Sequence, residues 1–358
     1  PAPAGPRPAA HPVGRYLAAI LRQQAPDLLL TLWGDTWLLP RLLKLSQHWR
    51  IPLPLSRDPG MGIERRAERT YFAYGQVIYR GQQLYLFGRW HIDGCNAMLF
   101  HEYGLEGVYE LARVTALPVQ SAARLSPGSG ISAMQMVTAL RQGVLVPWHK
   151  QQAELPKSAA ELMISDQGGL VYQPLSGLHR DVAEIDFISM YPSIMRHFNI
   201  SPETVAHAGE CEREGKKKRG REEGIVKMEN HCLEREEAED RREATSWRFV
   251  PELGLIINQD QPGLVPQTLA PLLDKRLALK QRLAELPAWD PRRQSYKAKA
   301  TAHKWLLVTC FGYLGYKNAR FGRIEAHQAV TAYGREALLQ AKEAAEELGF
   351  TVLHMYVD

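Results

Sequence analysis

The sequence predicts a multidomain protein that mixes α/β and α+β architecture, and three observations carry that expectation. Short β-type runs alternate with helical stretches through the first 115 residues, the pattern of a mixed α/β domain. Leucines recurring at three and four between Leu264 and Leu283, then a second helical stretch after Pro287 and Pro291, describe a long helical hairpin. Two apolar β-runs, around Val182–Phe187 and Gly349–Asp358, each deliver an aspartate toward their C-terminal end. With 358 residues, 45% of them hydrophobic and 23% charged, the chain can build two or three domains with a sizeable core, and global disorder is excluded.

The elements follow in order. Tyr16–Gln23 reads as an apolar helix, Leu28–Trp33 as a short strand and Trp37–Trp49 as another helix. TYFAYGQVIY and QLYLFGRWHI read as β-runs joined by a turn at Arg80-Gly81, and this domain is expected to end near residue 115. Proline and small polar residues follow, then a helix near 131–142 and a polar linker over about 147–160. After the helical hairpin, a third helix over 326–348 carries Val330, Tyr333, Leu338, Ala341, Ala345 and Leu348 on one face. Gly349 is placed as its C-terminal cap, with a strand over Phe350–Val357 beyond.

Charge is unevenly placed. The net charge of +5 conceals a segment, 274–323, with 12 basic and 3 acidic residues, the place to expect phosphates. Segment 209–247 carries 22 charges in 39 positions and reads as a solvated insertion; Cys211, Cys232 and His231 within it are too few for a zinc site. The four cysteines are scattered without a CxxC pair, which argues against a disulfide scaffold and for a reducing, cytoplasmic setting. No uncharged apolar run of 18 residues is present, so no membrane-spanning helix is expected. The first residues, PAPAGPRPAAHPVGRY, lack a signal-peptide core and read as a processed end.

Two constellations can carry chemistry. Asp186 ends one β-run just before a helix whose first turn accommodates Pro192; a carboxylate there serves either as a cap or turn residue or as a metal–phosphate ligand. Asp358 ends the other run, and is either a second such ligand or simply the last residue given. If the two strands lie side by side, their carboxylates can share a pair of divalent ions, the arrangement used for in-line phosphoryl displacement. Arg276, Lys280, Lys297, Lys299 and Lys304 lie between them on the helical hairpin, as triphosphate-binding groups or as a solvated basic face.

The order of these pieces resembles the family B DNA polymerases. DFISMYPSI is similar to their motif A, DxxSLYPSI, and the likeness continues through MRHFNISPETV. GLVPQTLAPLLDKRLALKQRL resembles their first fingers helix, KWLLVTCFGYLGYKNARFG their motif B, and GFTVLHMYVD their motif C strand. QGGLVYQPLSGLH resembles the link between exonuclease and palm, while RWHID and YGLEGVYE resemble the exonuclease domain. The resemblance covers nearly the whole chain and rests on order and spacing as much as on any single motif.

It implies an RNase H-like exonuclease-type domain at 1–118, a connector at 119–180, and a palm with a helical-hairpin fingers insertion. The palm would occupy 181–262, including the insertion 209–247, and 326–358; the fingers would occupy 263–325. It further implies metal binding by Asp186, the Phe187 carbonyl and Asp358, with two Mg²⁺ ions (Mn²⁺ as a substitute). Tyr191 would pack under the incoming sugar, and Arg276, Lys280 and Lys304 would grip the triphosphate. Phe311 and Gly312 would face the nascent base pair, and Gly168, Gly169, Lys317 and Arg320 would contact DNA. Primer–template DNA and deoxynucleoside triphosphates would be the partners, with no membrane involved.

Departures from the family pattern set further expectations. Val308, Thr309 and Phe311 replace the Asn, Ser and Tyr of motif B, Tyr356 stands at the first motif C aspartate, and Asp166 stands where the linker tyrosine is expected. No Asp-x-Glu occurs, Leu38 replaces the aspartate of Phe-Asp-x-Pro, and no Tyr-x-x-x-Asp exists, so proofreading is expected to be lost, with Asp35 and Asp93 left as scattered aspartates. Asp358 is the last residue, so the sequence reads as part of a longer polymerase. A catalytically degenerate DNA-binding or scaffold module is the alternative; an active nuclease is disfavoured by the missing carboxylates.

Overall fold

The computed structural model describes residues 12–58, 60–73, 76–148, 156–165, 167–208 and 246–357. The expectations for the charged insertion, its Cys211 and Cys232, Asp166 and Asp358 therefore lie wholly or almost wholly outside the described residues. The chain divides into two compact units, one of Pro1–Gly130 with Arg282–Ala302, the other of Ile131–Gln281 with His303–Asp358.

The first unit starts with α1 (Pro12–Gln23), β1 (Leu28–Thr31), one π-helical turn (Gly34–Leu38) and α2 (Leu39–Trp49). Strands β2 (Glu64–Arg66), β3 (Arg69–Ala73), β4 (Gln76–Arg80), β5 (Gln83–Tyr85) and β6 (Trp90–Asp93) follow, then α3 (Phe100–Thr115) and α4 (Val119–Arg124). β1 and β6 pair in parallel, Leu30 against Ile92, while β2 pairs antiparallel with β5. The run TYFAYGQVIY, expected as one strand, is itself a hairpin: β3 folds back on β4 with Phe72 opposite Val77. The next run also divides, because Leu86 and Phe87 leave the strand and Gly88 takes a left-handed φ of 68°. Leu21, Leu39, Leu55, Leu84 and Leu86 form the core, each at most 5% exposed, so one face of each amphipathic helix is spent on it.

The second unit contains α5 (Pro127–Arg141), α6 (Ala159–Ser165), β7 (Leu170–Tyr172), α7 (Met190–His197), β8 (Val205–His207), β9 (Trp247–Phe249) and β10 (Leu255–Asn258). Of the long helices α8 (Leu264–Glu285) and α9 (Arg292–Leu314), the second unit holds the residues up to Gln281 and from His303, the stretch 282–302 belonging to the first; α10 (Ile324–Glu347) and β11 (Met355–Val357) end it. β10 is the middle of a three-stranded antiparallel sheet flanked by β8 and β9. Ile256 and Ile257 of β10 are buried, as a central strand requires.

α10 ends as the sequence predicts. Gly349 has φ of 83°, its N–H donates to the Glu346 carbonyl at 2.9 Å, and the Phe350 N–H reaches Ala345 at 3.0 Å. That pair of bonds is a Schellman closure, which satisfies two terminal carbonyls and turns the chain toward β11. The expectation of two strands side by side at 182–187 and 350–358 is corrected. β11 pairs antiparallel with β7, Tyr356 opposite Val171, and residues 182–187 form no strand. Their alternation has no sheet edge to act on: Val182 is 62% and Ile185 89% exposed.

Candidate active site

The site is built from the segment around Asp186, the start of α7, the middle of α8, the end of α9 and the first half of α10, all in the second unit. Asp186 is exposed, and the chain enters α7 through Ser189, whose φ of 52° is left-handed. That turn brings the Ser189 hydroxyl to the Arg276 guanidinium, where Nη1 donates at 2.5 Å. Arg276 is half-buried, and burial lowers its pKa below the ordinary arginine value while the nearby Asp186 carboxylate opposes the shift. Its Nε is buried without a hydrogen-bond partner. Two residues earlier on α8, Asp274 accepts from Arg196 at 2.5 Å, giving α7 and α8 a second polar contact.

Beside this lies an aromatic stack. The Tyr191 ring on α7 meets Phe311 on α9 at a centroid distance of 4.2 Å, and Phe311 stacks on His327 of α10 at 4.1 Å with planes 19° apart. Gly334 of α10 makes room for the first ring: a methyl there would stand 2.9 Å from Tyr191 Cε1. A further stack, Phe198 on Tyr333 at 3.8 Å, anchors the end of α7 against α10, and the Tyr333 hydroxyl donates to the Phe249 carbonyl at 2.8 Å.

The structure therefore brings together Asp186, Arg276, Tyr191 and Phe311 from the residues singled out in sequence. Phe187 follows Asp186 with 39% of its surface exposed. Lys280 and Lys304 are exposed on α8 and α9, and Gly312 is half-buried beside Phe311. Gly168, with φ of 63°, offers its carbonyl to Arg335 Nη1 at 2.6 Å, and Gly169 is half-buried next to it. Lys317 is exposed, whereas Arg320 is committed elsewhere: its Nη1 donates to the carbonyls of Pro147 at 2.5 Å and Trp148 at 3.1 Å. Lys317 and Arg320 line a cavity of about 620 Å³ together with Gln142, Pro202, Tyr316 and Glu325. Sequence reasoning missed Ser189, His327 and Gly334. Ser189 lies inside the recognised motif, and the seven-residue spacing of His327 and Gly334 marks one helix face, but nothing in sequence says which rings fill it.

In the first unit, Asp35 and Asp93 are not scattered, which corrects the expectation. The Asp35 N–H donates to Asp93 Oδ2 at 2.9 Å, and both side chains are at most 1% exposed. The Asp35 carboxylate is held by Arg124 on both oxygens at 3.0 and 3.1 Å, and also accepts from the Leu84 N–H and the Asn96 amide, each at 2.9 Å. His91 completes the cluster, and burial pushes its pKa below the ordinary 6.5. These carboxylate oxygens are satisfied by hydrogen bonds and a buried cation, and Arg124 supplies the charge a metal would otherwise supply.

The family model described as DNA polymerase family B matches residues 130–355, more than half of the chain. The chain belongs to DNA polymerase family B. It is similar to DNA polymerase 2 of Saccharolobus solfataricus, 29% identical over 255 residues, which make up 71% of this chain and 32% of that protein. It is also similar to DNA polymerase 1 of Pyrococcus abyssi, 26% identical over 391 aligned residues, with 96% of this chain and 46% of that protein covered. The solved family B DNA polymerase from the hyperthermophilic archaeon Pyrobaculum calidifontis shares the fold, with a TM-score of 0.61 at 20% identity, over 97% of this chain and 46% of that one. The chain thus spans about half, or less, of the length of the relatives it matches.

Family B DNA polymerases depend in general on divalent metal ions. Among the described residues no group of three or more His, Cys, Asp or Glu could hold a metal. Asp186 provides one exposed carboxylate and Phe187 a backbone carbonyl. Hard oxygens of this kind suit Mg²⁺, which keeps waters and takes substrate phosphate oxygens beside one or two carboxylates. The described residues fit part of such a shell; the second carboxylate expected, Asp358, lies outside them. Among the described residues no helix is long and apolar enough to cross a membrane.

Proposed function

We propose that the protein carries out DNA-templated DNA synthesis, transferring a nucleotide from a deoxynucleoside triphosphate to a primer 3′-hydroxyl, without proofreading. The observation that carries this reading is the convergence on Ser189: the half-desolvated Arg276 guanidinium, the Asp186 carboxylate and the Tyr191 ring meet at the start of α7. A cation with an unpartnered buried N–H, set beside an exposed carboxylate and a helix N-terminus, is what a metal-bound triphosphate would engage.

In this reading Asp186, the Phe187 carbonyl and Asp358 hold two Mg²⁺ ions, or Mn²⁺ in their place. Bound there, the ions supply charge neutralisation for the phosphates and lower the pKa of the attacking hydroxyl. Arg276 gives up Ser189 and grips the triphosphate, with Lys280 and Lys304 adding charge along the fingers and offsetting the departing pyrophosphate. Tyr191 forms the floor under the deoxyribose, and Phe311 and Gly312 face the nascent base pair. Gly168, Gly169 and Lys317 contact the DNA backbone; Arg320 joins them only by leaving the carbonyls of Pro147 and Trp148. In the same reading residues 1–118 are the exonuclease-type domain, 119–180 the connector, 263–325 the fingers, and 181–262 with 326–358 the palm.

A second reading, a degenerate DNA-binding module, is favoured by Tyr356, which stands where a metal-binding aspartate is expected and lies against His354 with ring centroids 5.4 Å apart. Primer extension by the full natural protein, beside Asp186→Ala, separates the two. Template-directed incorporation that disappears in Asp186→Ala is the expected result. Incorporation that survives the substitution removes the assigned mechanism, and none by the unsubstituted protein favours the binding module.

A further inference from the structure

We propose that His327 is a positioning residue for sugar selection, holding Phe311 and through it the Tyr191 floor; this rests on the polymerase reading above. His327 and Gly334 are seven residues apart on α10, two helical turns or about 10.5 Å, and so share one face. The Tyr191 and Phe311 rings occupy the interval, with successive centroid distances of 4.2 and 4.1 Å ending on the imidazole. Both ends of the row are closed by backbone. A methyl on Gly334 would stand 2.9 Å from Tyr191 Cε1, and one on Gly315 would stand 2.6 Å from His327 Cδ2. The row Gly334–Tyr191–Phe311–His327–Gly315 therefore has no slack along its length.

Such a row has a chemical use. A pocket that merely contacts a sugar rejects an added hydroxyl weakly, because the hydroxyl adds little bulk and a soft wall yields to it. Rejection needs a wall that does not recede. Tyr191 and Phe311 are only half-buried, so their own packing does not fix them. The flat face of His327, at 19° to Phe311, is what stops Phe311 from moving back, and Phe311 in turn stops Tyr191. Truncating His327 leaves a void of imidazole size into which the two rings relax, as side chains around deleted core groups do in part. A ribose 2′-hydroxyl then fits above Tyr191.

The test measures kcat/KM for each deoxynucleotide and its ribonucleotide in primer extension by the full natural protein. For His327→Ala the deoxy-over-ribo ratio is expected to fall at least tenfold, mainly through a lower ribonucleotide KM, whereas His327→Phe, which keeps a flat ring, retains it. If His327→Ala does not fold, His327→Leu, which fills volume without a flat face, is expected to show the same fall. A ratio within twofold of the unsubstituted protein in either variant, or a His327→Phe protein as unselective as the truncation, overturns the inference and leaves the polymerase reading standing. A protein that extends no primer at all overturns the polymerase reading instead. Equilibrium binding of dATP against ATP then decides His327: preference for dATP that His327→Ala abolishes supports the role, and equal preference in both proteins, or none in either, overturns it.

Discussion

The Arg276 guanidinium donates to Ser189 through Nη1 and keeps its Nε buried without an acceptor, so its present contacts leave capacity that a phosphate oxygen can use. Charge-assisted hydrogen bonds contribute about 1.5–3 kcal/mol each. Arg276→Ala is therefore expected to raise the nucleotide KM by about tenfold to a hundredfold, read in primer extension, with Ser189→Ala changing it far less. An Arg276→Ala protein with unaltered KM would remove Arg276 from the triphosphate site. In the first unit the logic is structural. Arg124 is buried with Asp35, and removing one member of a buried pair costs about 3–5 kcal/mol because the other charge is stranded. Arg124→Met should lower the urea midpoint of the unit accordingly, and Arg124→Met with Asp35→Asn should recover part of the loss; equal midpoints for the two would contradict this. His91 adds a pH dependence. Its folded-state pKa lies below 6.5, so under about pH 6.5 the unfolded chain binds a proton the folded one refuses, and stability falls as pH falls. The urea midpoint should drop between pH 7.5 and 5.5, with a shallower slope in His91→Gln; an unchanged slope would assign the dependence to other groups.

Among the elements, those decided by local pattern were legible and those decided by pairing were not. The heptad-like leucines of α8, the two prolines before α9 and Gly349 after α10 each act through neighbours within a few residues, and each element appears where its pattern puts it. Val182–Phe187 shows the same apolar alternation as a strand, yet a strand exists only when an edge is offered, and β7 takes the edge of β11. The hairpin inside TYFAYGQVIY was missed because aromatic and β-branched residues run through both of its strands, Tyr71 opposite Ile78 and Phe72 opposite Val77. The site was half legible on the same grounds: Asp186, Tyr191 and Arg276 sit in recognisable motifs, whereas Ser189, His327 and Gly334 matter only through distant partners. Gly349 gives this a measurable form. At φ of 83° a side chain costs about 1–2 kcal/mol, and Gly349→Ala should destabilise the second unit by that amount in thermal unfolding. No loss would mean that the α10 closure does not need its left-handed residue.

For the molecule as a whole, the two units treat their carboxylates in opposite ways. In the second unit Asp186 is exposed next to a half-desolvated cation, a setting that leaves its oxygens available. In the first unit Asp35 and Asp93 are buried, and Asp35 accepts from Arg124, Leu84 and Asn96. Recruiting Asp35 to a metal would mean breaking those bonds and leaving Arg124 buried without its partner, at a cost of several kcal/mol that one new ligand bond in a two-carboxylate site must exceed. The expected outcome is a protein that synthesises but does not trim. A primer with a mismatched 3′-end, incubated with Mg²⁺ or Mn²⁺ and no nucleotides, should keep its full length over times in which a matched primer with nucleotides is extended. Shortened products would contradict this, and their loss or persistence in Asp35→Asn would show whether that buried carboxylate, against the energetics of its surroundings, is the one at work.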